Sequence, residues 1–366
     1  MLPGLERLSG LYLWALFIVV FGIWTPHLFL TMATVHQLAS QQSLNGLVAL
    51  AALMPLACGA YDLSIGANVN LSAVLVAVLQ TQHNWSMTAA IVVAVVTGLI
   101  IGVVNALIVV GLQVNSFIGT LGSATIIGAV QTIVTGGNSP VPPISSAWND
   151  LTQYQIFGFQ VVFLYLIVIG VIIWWFLART PAGRYIYATG SNPDAARLSG
   201  VSIGSWTSLT LILSGLLCGI TGVLYASLIG PSVSFGDALL LPAFAAAFLG
   251  ATQFQPGKFN VPGSLLAIFV LATGVLGLQL ITSVQWLNDM FNGVALVGAV
   301  GFAGWRQRAR RRAAPVDASD ASDASDVAAV PPDDPALPSP GGPTGPPGPR
   351  GPWGSASVDA QDPARG

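Results

Sequence analysis

The longest uncharged stretch of the chain, residues 63–149, contains 87 consecutive positions without Asp, Glu, Lys or Arg. One membrane-crossing helix needs about 20 predominantly apolar residues, so several crossings fit inside this stretch. Over all 366 residues the charged fraction is 7%, against about 25% in soluble domains, which need charge to cover their surface. The sequence therefore predicts an all-α, polytopic integral membrane protein and excludes a water-soluble globular domain.

Turn-forming and polar clusters divide the apolar part of the chain into about ten predicted transmembrane helices. They cover residues 10–30, 44–61, 64–80, 87–110, 117–135, 160–178, 206–229, 239–252, 262–282 and 288–305. If the N-terminus is cytoplasmic, ten crossings place the C-terminus and all ten basic residues of positions 1–312 on the cytoplasmic side, as the positive-inside rule requires. We therefore expect both termini in the cytoplasm.

The composition changes near residue 305, which divides the chain into three parts. Residues 1–305 form the predicted transmembrane domain, and residues 306–312 form a basic juxtamembrane segment that would contact anionic lipid. Residues 313–366 hold 12 Pro, 7 Gly and a net charge of −6, a composition typical of a disordered tail. Cys58 and Cys218 lie in apolar stretches, where we expect small buried side chains rather than a disulfide.

No residue pattern in the chain supports an enzyme. The sequence lacks a Walker P-loop, His-Glu-x-x-His, Cys-x-x-Cys and Gly-x-Ser-x-Gly, so we predict no catalytic, cofactor-binding or metal-binding residues. It also shows no basic face for nucleic acid. Asp62 is the only ionisable residue expected near membrane depth, whereas ion-coupled carriers generally use several such groups. The energy for any transport is therefore expected to come from another subunit.

The predicted cytoplasmic loop 179–205 contains the signals of one short helix. Asn192 can cap its N-terminus, Asp194 and Arg197 complement the two ends of the helix dipole, and Gly200 can adopt the left-handed conformation that ends a helix. A helix of about seven residues is too short to be stable alone. It either packs on the ends of its own spans or docks into a partner as a coupling helix. The residues assigned to this coupling role are Asn192, Asp194, Ala195, Ala196, Arg197, Leu198, Ser199 and Gly200.

Four stretches of the chain together resemble one protein family. They are Gly183–Val201 in the cytoplasmic loop, Asp62-Leu63-Ser64-Ile65-Gly66, Gly102-Val103-Val104-Asn105-Ala106-Leu107 and Phe117-Ile118-Gly119-Thr120-Leu121-Gly122. The combination resembles the permease subunits of bacterial ABC importers for monosaccharides, the ribose/xylose/galactose-type group related to branched-chain amino acid permeases. The resemblance covers roughly residues 44–305. The chain departs from the family pattern at Ala106 and in residues 250–263, which leaves the substrate open.

The resemblance implies a ten-span permease in the bacterial cytoplasmic membrane, embedded in the lipid bilayer. Two permease chains, identical or different, would sit on two ATP-binding cassette subunits, and an extracytoplasmic solute-binding protein would deliver the sugar. Closure of the ATP-binding subunits would move the coupling helices and switch access to the pathway. Three alternatives stay open: the same architecture importing an amino acid, nucleoside or other non-sugar, a self-contained ion-coupled carrier, and a structural membrane scaffold.

Polar side chains inside the predicted spans are the candidates for the translocation pathway. Ser64, Asn68 and Ser72 are spaced i, i+4, i+8 and therefore share one helix face. Asn105 lies on a second polar stripe, and Asn115 lies where the fourth and fifth spans meet. Amides and hydroxyls suit a neutral sugar. The alternative is that the same side chains form hydrogen bonds between helices, worth about 0.6 kcal/mol each in membranes.

Overall fold

The computed structural model describes residues 9–282, 284, 286–287, 290–298 and 301, and most of these residues are helical. The α-helices in chain order are α1 (Ser9–Trp24), α2 (Pro26–Phe29), α3 (Met32–Ala57), α4 (Ile65–Thr81), α5 (Met87–Ala106), α6 (Ser116–Thr135), α7 (Ser146–Gln153), α8 (Val161–Arg179), α9 (Pro181–Ser191), α10 (Pro193–Leu198), α11 (Ile203–Leu228), α12 (Gly236–Gly250) and α13 (Val261–Thr282). Residues 290–298 are also helical. A π-helical turn, Leu107–Gly111, extends α5, and β1 (Gln155–Ile156) pairs with β2 (Phe159–Gln160) in an antiparallel hairpin.

Apolar helices account for the predicted spans. Five are long and apolar enough to cross a membrane: Met87–Gly111, Ser116–Thr135, Val161–Arg179, Ile203–Leu228 and Val261–Thr282. Three shorter apolar helices are Gly10–Trp24, Ile65–Thr81 and Gly236–Gly250. Together with α3 and the helical residues 290–298, they give a helix at each of the ten predicted positions, which confirms the all-α polytopic fold. The predicted segment 306–312 and tail 313–366 lie outside the described residues.

The second span differs most from its prediction. The helix α3 begins at Met32 instead of residue 44 and continues for 26 residues. Thr31 caps it by accepting a hydrogen bond of 3.2 Å from the backbone N–H of Thr34. The first three turns carry several glutamines and a histidine, and their polarity indicated a loop. Glutamine has nearly the helix propensity of leucine, so its polarity shifted the predicted boundary without preventing the helix.

Three connections contain more regular structure than predicted. The first span ends at Trp24 instead of residue 30, and Pro26 begins the short α2. The predicted external loop 136–159 contains α7 and the hairpin, and the cytoplasmic loop contains α9 in addition to the short helix that the sequence predicted. Both extra helices start after a capping hydroxyl, that of Ser145 for α7 and that of Thr180 for α9. These caps are the local signals that fixed the helix starts.

The centre of the fold is α3, which packs against α8, α11, α12 and α13. Its residues 47–54 are at most 1% exposed. The helix α11 packs against α3 and also against α4 and α5. At the α5–α11 contact, a Cβ atom on Gly98 would lie 2.6 Å from the Cα of Gly219, so these glycines allow the close helix approach that is common in membrane bundles. Cys58 and Cys218 are free and buried, as predicted.

Candidate coupling surface and solute cavity

The predicted coupling helix is present as α10, and both of its ends are capped. At the N-terminus, Oδ1 of Asn192 accepts a hydrogen bond of 3.1 Å from the backbone N–H of Ala195. At the C-terminus, Gly200 has a φ of +81°, and the N–H of Val201 donates to the carbonyl oxygen of Ala196 at 3.0 Å. This is the Schellman arrangement, so the caps predicted at Asn192 and Gly200 are confirmed.

Most of the surface of α10 faces solvent. Ala196 is its one buried residue, while the apolar side chain of Leu198 is 91% exposed. Asp194 and Arg197 are exposed as well, and each lies at the helix end where the dipole favours its charge. The helix therefore packs on its own chain through a single small side chain and leaves its other faces uncovered.

The loop that carries α10, residues 180–202, is attached to the spans through α9; we call it the coupling loop after its predicted role. The Tyr187 hydroxyl donates a hydrogen bond of 2.6 Å to the carbonyl oxygen of Phe259, in the loop between α12 and α13. Burial raises the pKa of Tyr187 to about 12, because the phenolate form would lose solvation. Near the end of α9, Gly190 lies against the backbone of Ala57 and Cys58. The loop thus contacts both the end of α3 and the segment before α13.

A cleft of about 280 Å³ lies between this loop and the inner ends of α3 and α11. Its lining includes Gly59, Thr189, Pro193 and Thr207. The buried hydroxyl of Thr189 has no hydrogen-bond partner within the described part of the chain. Because protein interiors are otherwise close-packed, the cleft leaves room for α9 and α10 to move relative to the spans.

A second cavity, of about 300 Å³, lies at the opposite end of α3. Its walls come from α3, α12, α13 and the helical residues 290–298. Its lining combines aliphatic residues with six amide side chains. We call these six amides the amide cluster: Gln37, Gln41, Gln42, Asn45, Gln279 and Asn292. This cluster was not among the predicted site residues, because three of its members precede the predicted start of the second span. Its signal was the i, i+4, i+8 spacing of Gln37, Gln41 and Asn45, which places them on one helix face.

Two of the residues predicted to line the pathway belong to a buried hydrogen-bond network. Oδ1 of Asp62 accepts bonds from the backbone N–H of Ser64 at 3.0 Å and from its hydroxyl at 2.6 Å. Oδ2 of Asp62 accepts from Ser214 at 3.0 Å, and Nδ2 of Asn105 donates to the hydroxyl of Ser64 at 2.7 Å. All four side chains are at most 2% exposed. The network connects α4 to α5 and α11.

The other predicted pathway residues also make structural contacts. Asn68 donates to the carbonyl oxygen of Gly98 at 3.2 Å, and Ser72, on the same face of α4, donates to that of Ala94 at 3.4 Å. Asn115 caps α6, where its Oδ1 accepts a backbone hydrogen bond of 3.0 Å. The contacts of Asn68 and Ser72 match the alternative of hydrogen bonding between helices, whereas that of Asn115 lies within its own helix start. None of the five residues lines the cleft or the amide cavity, and their part in translocation stays a prediction.

Most of the chain matches one protein family. Residues 34–300 match the family described as the permease component of the branched-chain amino acid transport system. The chain belongs to this family. The match runs from the start of α3 to the last helical residues. It therefore includes both α10 and the amide cavity of this permease.

Relatives of this permease are named for the import of autoinducer 2 and for the transport of D-allose. The autoinducer 2 import system permease protein LsrC of an Enterobacter species is 29% identical, over 78% of this chain and 82% of that protein. The autoinducer 2 import system permease protein LsrD of Photorhabdus temperata is 26% identical, over 81% of this chain and 94% of its own. The D-allose transport system permease protein AlsC of Escherichia coli is 25% identical, over 81% of this chain and 90% of that protein. No solved structure gives a significant match.

Family membership establishes the general role of the chain. It is a multi-pass inner-membrane permease subunit of an ABC transporter, and it is not itself an enzyme. Hydrolysis of ATP takes place on a separate subunit, and the family works with ATP-binding subunits and a solute-binding protein.

Proposed function

We propose that this permease forms the membrane pathway of an ATP-driven importer for a neutral monosaccharide or similar polyol. ATP binding would close the separate ATP-binding subunits beneath the membrane. That closure would displace α10, and the contact between α9 and α3 would transmit the displacement to the spans. The chain has no P-loop of its own, so the nucleotide has to act through such a contact.

The exposure of Leu198 carries this proposal. Its side chain is 91% exposed on a helix that Asn192 and Gly200 hold at both ends. The two caps fix the orientation of this six-residue helix. The N-terminal cap alone stabilises it by about 0.5–2 kcal/mol. A fixed orientation with an uncovered apolar side chain fits a docking element, whose exposed face is covered only when the ATP-binding subunit is bound.

The nature of the solute is proposed from two independent supports. The relatives are named for autoinducer 2 and for D-allose, and no charged side chain occurs among the described residues that line the amide cavity. We also propose that a second permease chain completes the membrane unit and that a solute-binding protein docks on the predicted external side, as the resemblance of the sequence motifs implies.

The test is a Leu198→Asp variant of the full chain in its native membrane. Since Leu198 is exposed, the substitution leaves folding intact, and we expect normal abundance of the variant in the membrane. Co-purification of the ATP-binding subunit in mild detergent should be lost, and ATP-dependent uptake should fall at least about tenfold, the effect of about 1.4 kcal/mol. The matched control is Ile144→Asp, because Ile144 is 90% exposed in the predicted external loop; it should retain the ATP-binding subunit.

Other outcomes would redirect the assignment. Normal co-purification and uptake by Leu198→Asp would contradict a coupling role for α10. Uptake that persists without any ATP-binding subunit and collapses with the ion gradient would instead support the ion-coupled carrier, and Asp62 would then be the first residue to substitute.

A further inference from the structure

The amide cavity lies at the predicted external end of the permease. Its lining comes from the start of α3, the start of α12 and the part of α13 between Ile268 and Gln279. With the cytoplasmic N-terminus that the basic residues indicate, these segments extend from the middle of the membrane to its outer side. The cleft beside α10 lies at the other end of α3, so the two cavities occupy opposite sides of the bundle.

The chemistry of the cavity is polar but uncharged. Its lining contains six amides and the hydroxyl of Thr34, and no Asp, Glu, Lys, Arg or His occurs among the lining residues that the structure describes. Each amide offers both donors and acceptors, which matches hydroxyl groups and gives no counterion for a carboxylate or an ammonium group. The cavity is also lined by aliphatic residues, among them Leu239, Pro242 and Ile268. These side chains can cover the C–H face of a sugar ring.

Most of the amide cluster is free to bind a ligand. Asn45 donates a hydrogen bond of 2.8 Å to Gln42. The side chains of Gln37, Gln41, Gln279 and Asn292 form no hydrogen bond with any residue in the described part of the chain. Polar groups that converge on a cavity without protein partners are available to a solute. The volume of about 300 Å³ lies at the lower end of the range for ligand pockets, which suits a single small ring.

We propose that this cavity is the external solute site of the permease and that it binds one neutral, polyhydroxylated molecule through the amide cluster. The inference rests on the proposed import function and adds to it the location of the site and the residues that bind. Gln41 on α3 and Gln279 on α13 face the cavity from two different helices, so a bound ring bridges these helices and its binding depends on their separation.

The test uses cysteine labelling of the full chain in its native membrane, in the predicted orientation. Both native cysteines, Cys58 and Cys218, are buried, so the background reaction is low. Gln41→Cys introduces a thiol in the cavity, and His83→Cys introduces one in the exposed loop after α4. A membrane-impermeant maleimide should label both. A transported neutral sugar should slow labelling of Gln41→Cys at least fivefold and leave His83→Cys unchanged. The probes are D-ribose, D-allose and autoinducer 2, with L-leucine as the zwitterionic comparison.

Uptake kinetics provide a second readout. Gln41→Leu and Gln279→Leu each remove hydrogen bonds to the solute, and each should raise KM about two- to tenfold, the range for single neutral hydrogen bonds. The matched control is Gln82→Leu, because Gln82 is an exposed amide outside the cavity; its KM should not change.

The outcomes separate this inference from the proposed function. If a probe sugar is imported with ATP, but it does not protect Gln41→Cys and its KM does not depend on Gln41 and Gln279, the site is wrong and the importer assignment stands. If L-leucine alone is imported and protects Gln41→Cys, the cavity binds solute and the ligand class is wrong. If no probe is imported and none protects, both the proposed sugar import and the inference are contradicted.

Discussion

Gly190, near the end of α9, lies directly against the carbonyl oxygen of Ala57, the last residue of α3. A Cβ atom at Gly190 would also lie 3.0 Å from the carbonyl carbon of Cys58, well inside van der Waals contact. The backbones of the coupling loop and of the central helix therefore meet without any side chain between them. Movement of α9 reaches α3 at this point.

Gly190→Ala should weaken this contact. The added methyl group overlaps main-chain atoms, which cannot rotate away, so α9 has to shift at a cost of about 1–3 kcal/mol. We expect uptake to fall severalfold while the chain still inserts in the membrane. The matched control is Gly128→Ala, because Gly128 is also helical but has open space around its Cβ position; uptake equal to that of Gly190→Ala would contradict the coupling explanation.

Tyr187→Phe should loosen the attachment of α9 to the segment before α13. The variant loses the hydrogen bond of 2.6 Å to the carbonyl oxygen of Phe259, worth about 0.5–1.5 kcal/mol. We expect the unfolding temperature in detergent to fall by a few degrees at pH 7. An unchanged unfolding temperature would show that this bond does not contribute to stability.

The same tyrosine gives a prediction about pH. Burial raises the pKa of Tyr187 from 10.0 to about 12, so the unfolded chain loses the phenolic proton first as the pH rises. The stabilisation is therefore present below pH 10 and is lost between about pH 10 and 12. Across this window, the unfolding temperature of the native chain should fall more steeply with pH than that of Tyr187→Phe. If the two unfolding temperatures fall in parallel, the stabilisation does not come from Tyr187.

Asn192 is expected to act through its helix cap alone. Asn192→Ala removes the bond to the N–H of Ala195 and should destabilise α10 by about 1 kcal/mol, with a measurable fall in uptake and normal abundance. Asn192→Asp keeps the acceptor and adds a charge that the helix N-terminus favours, so uptake should return to the native level. Failure of the aspartate to restore uptake would indicate that the amide itself contacts the partner.

Two serines on one face of α4 should differ in their effects. Ser64→Ala removes bonds of 2.6 Å to Asp62 and 2.7 Å to Asn105. The backbone N–H of residue 64 still donates to Asp62, but the buried Nδ2 of Asn105 loses this acceptor, at about 1–3 kcal/mol. Ser72→Ala removes only weaker contacts of 3.4 and 3.5 Å and should cost about 0.6 kcal/mol. Unfolding in detergent measures both variants. A KM change in either, with stability intact, would support a role in translocation instead.

The sequence predicted the helices of this fold well where apolar residues were continuous. It also predicted both caps of α10, because Asn192 and Gly200 act through local backbone geometry that neighbouring residues determine. The chain of ten spans followed from hydropathy and from the placement of basic residues, two signals that do not depend on tertiary contacts.

The amide cavity could not be predicted in the same way. Gln37 and Gln41 lie in a stretch whose polarity indicated a loop, and Gln279 lies far away in the sequence at the outer half of α13. Only the packing of α3 against α12 and α13 brings them together. Conversely, Ser64 and Asn68 have the spacing of a pathway, but their partners on α5 use their hydrogen bonds.

The helix α3 joins the two sites of this permease in a single 26-residue element, about 39 Å long at 1.5 Å per residue. Gln37 lies near one end of it and Ala57 at the other. Thermodynamic reciprocity then applies to the two ligands of the proposed importer. The factor by which bound solute changes the affinity for nucleotide equals the factor by which nucleotide changes the affinity for solute. A sugar whose affinity ATP barely changes would therefore also barely change the affinity for ATP, because one coupling free energy, carried by one helix, sets both effects.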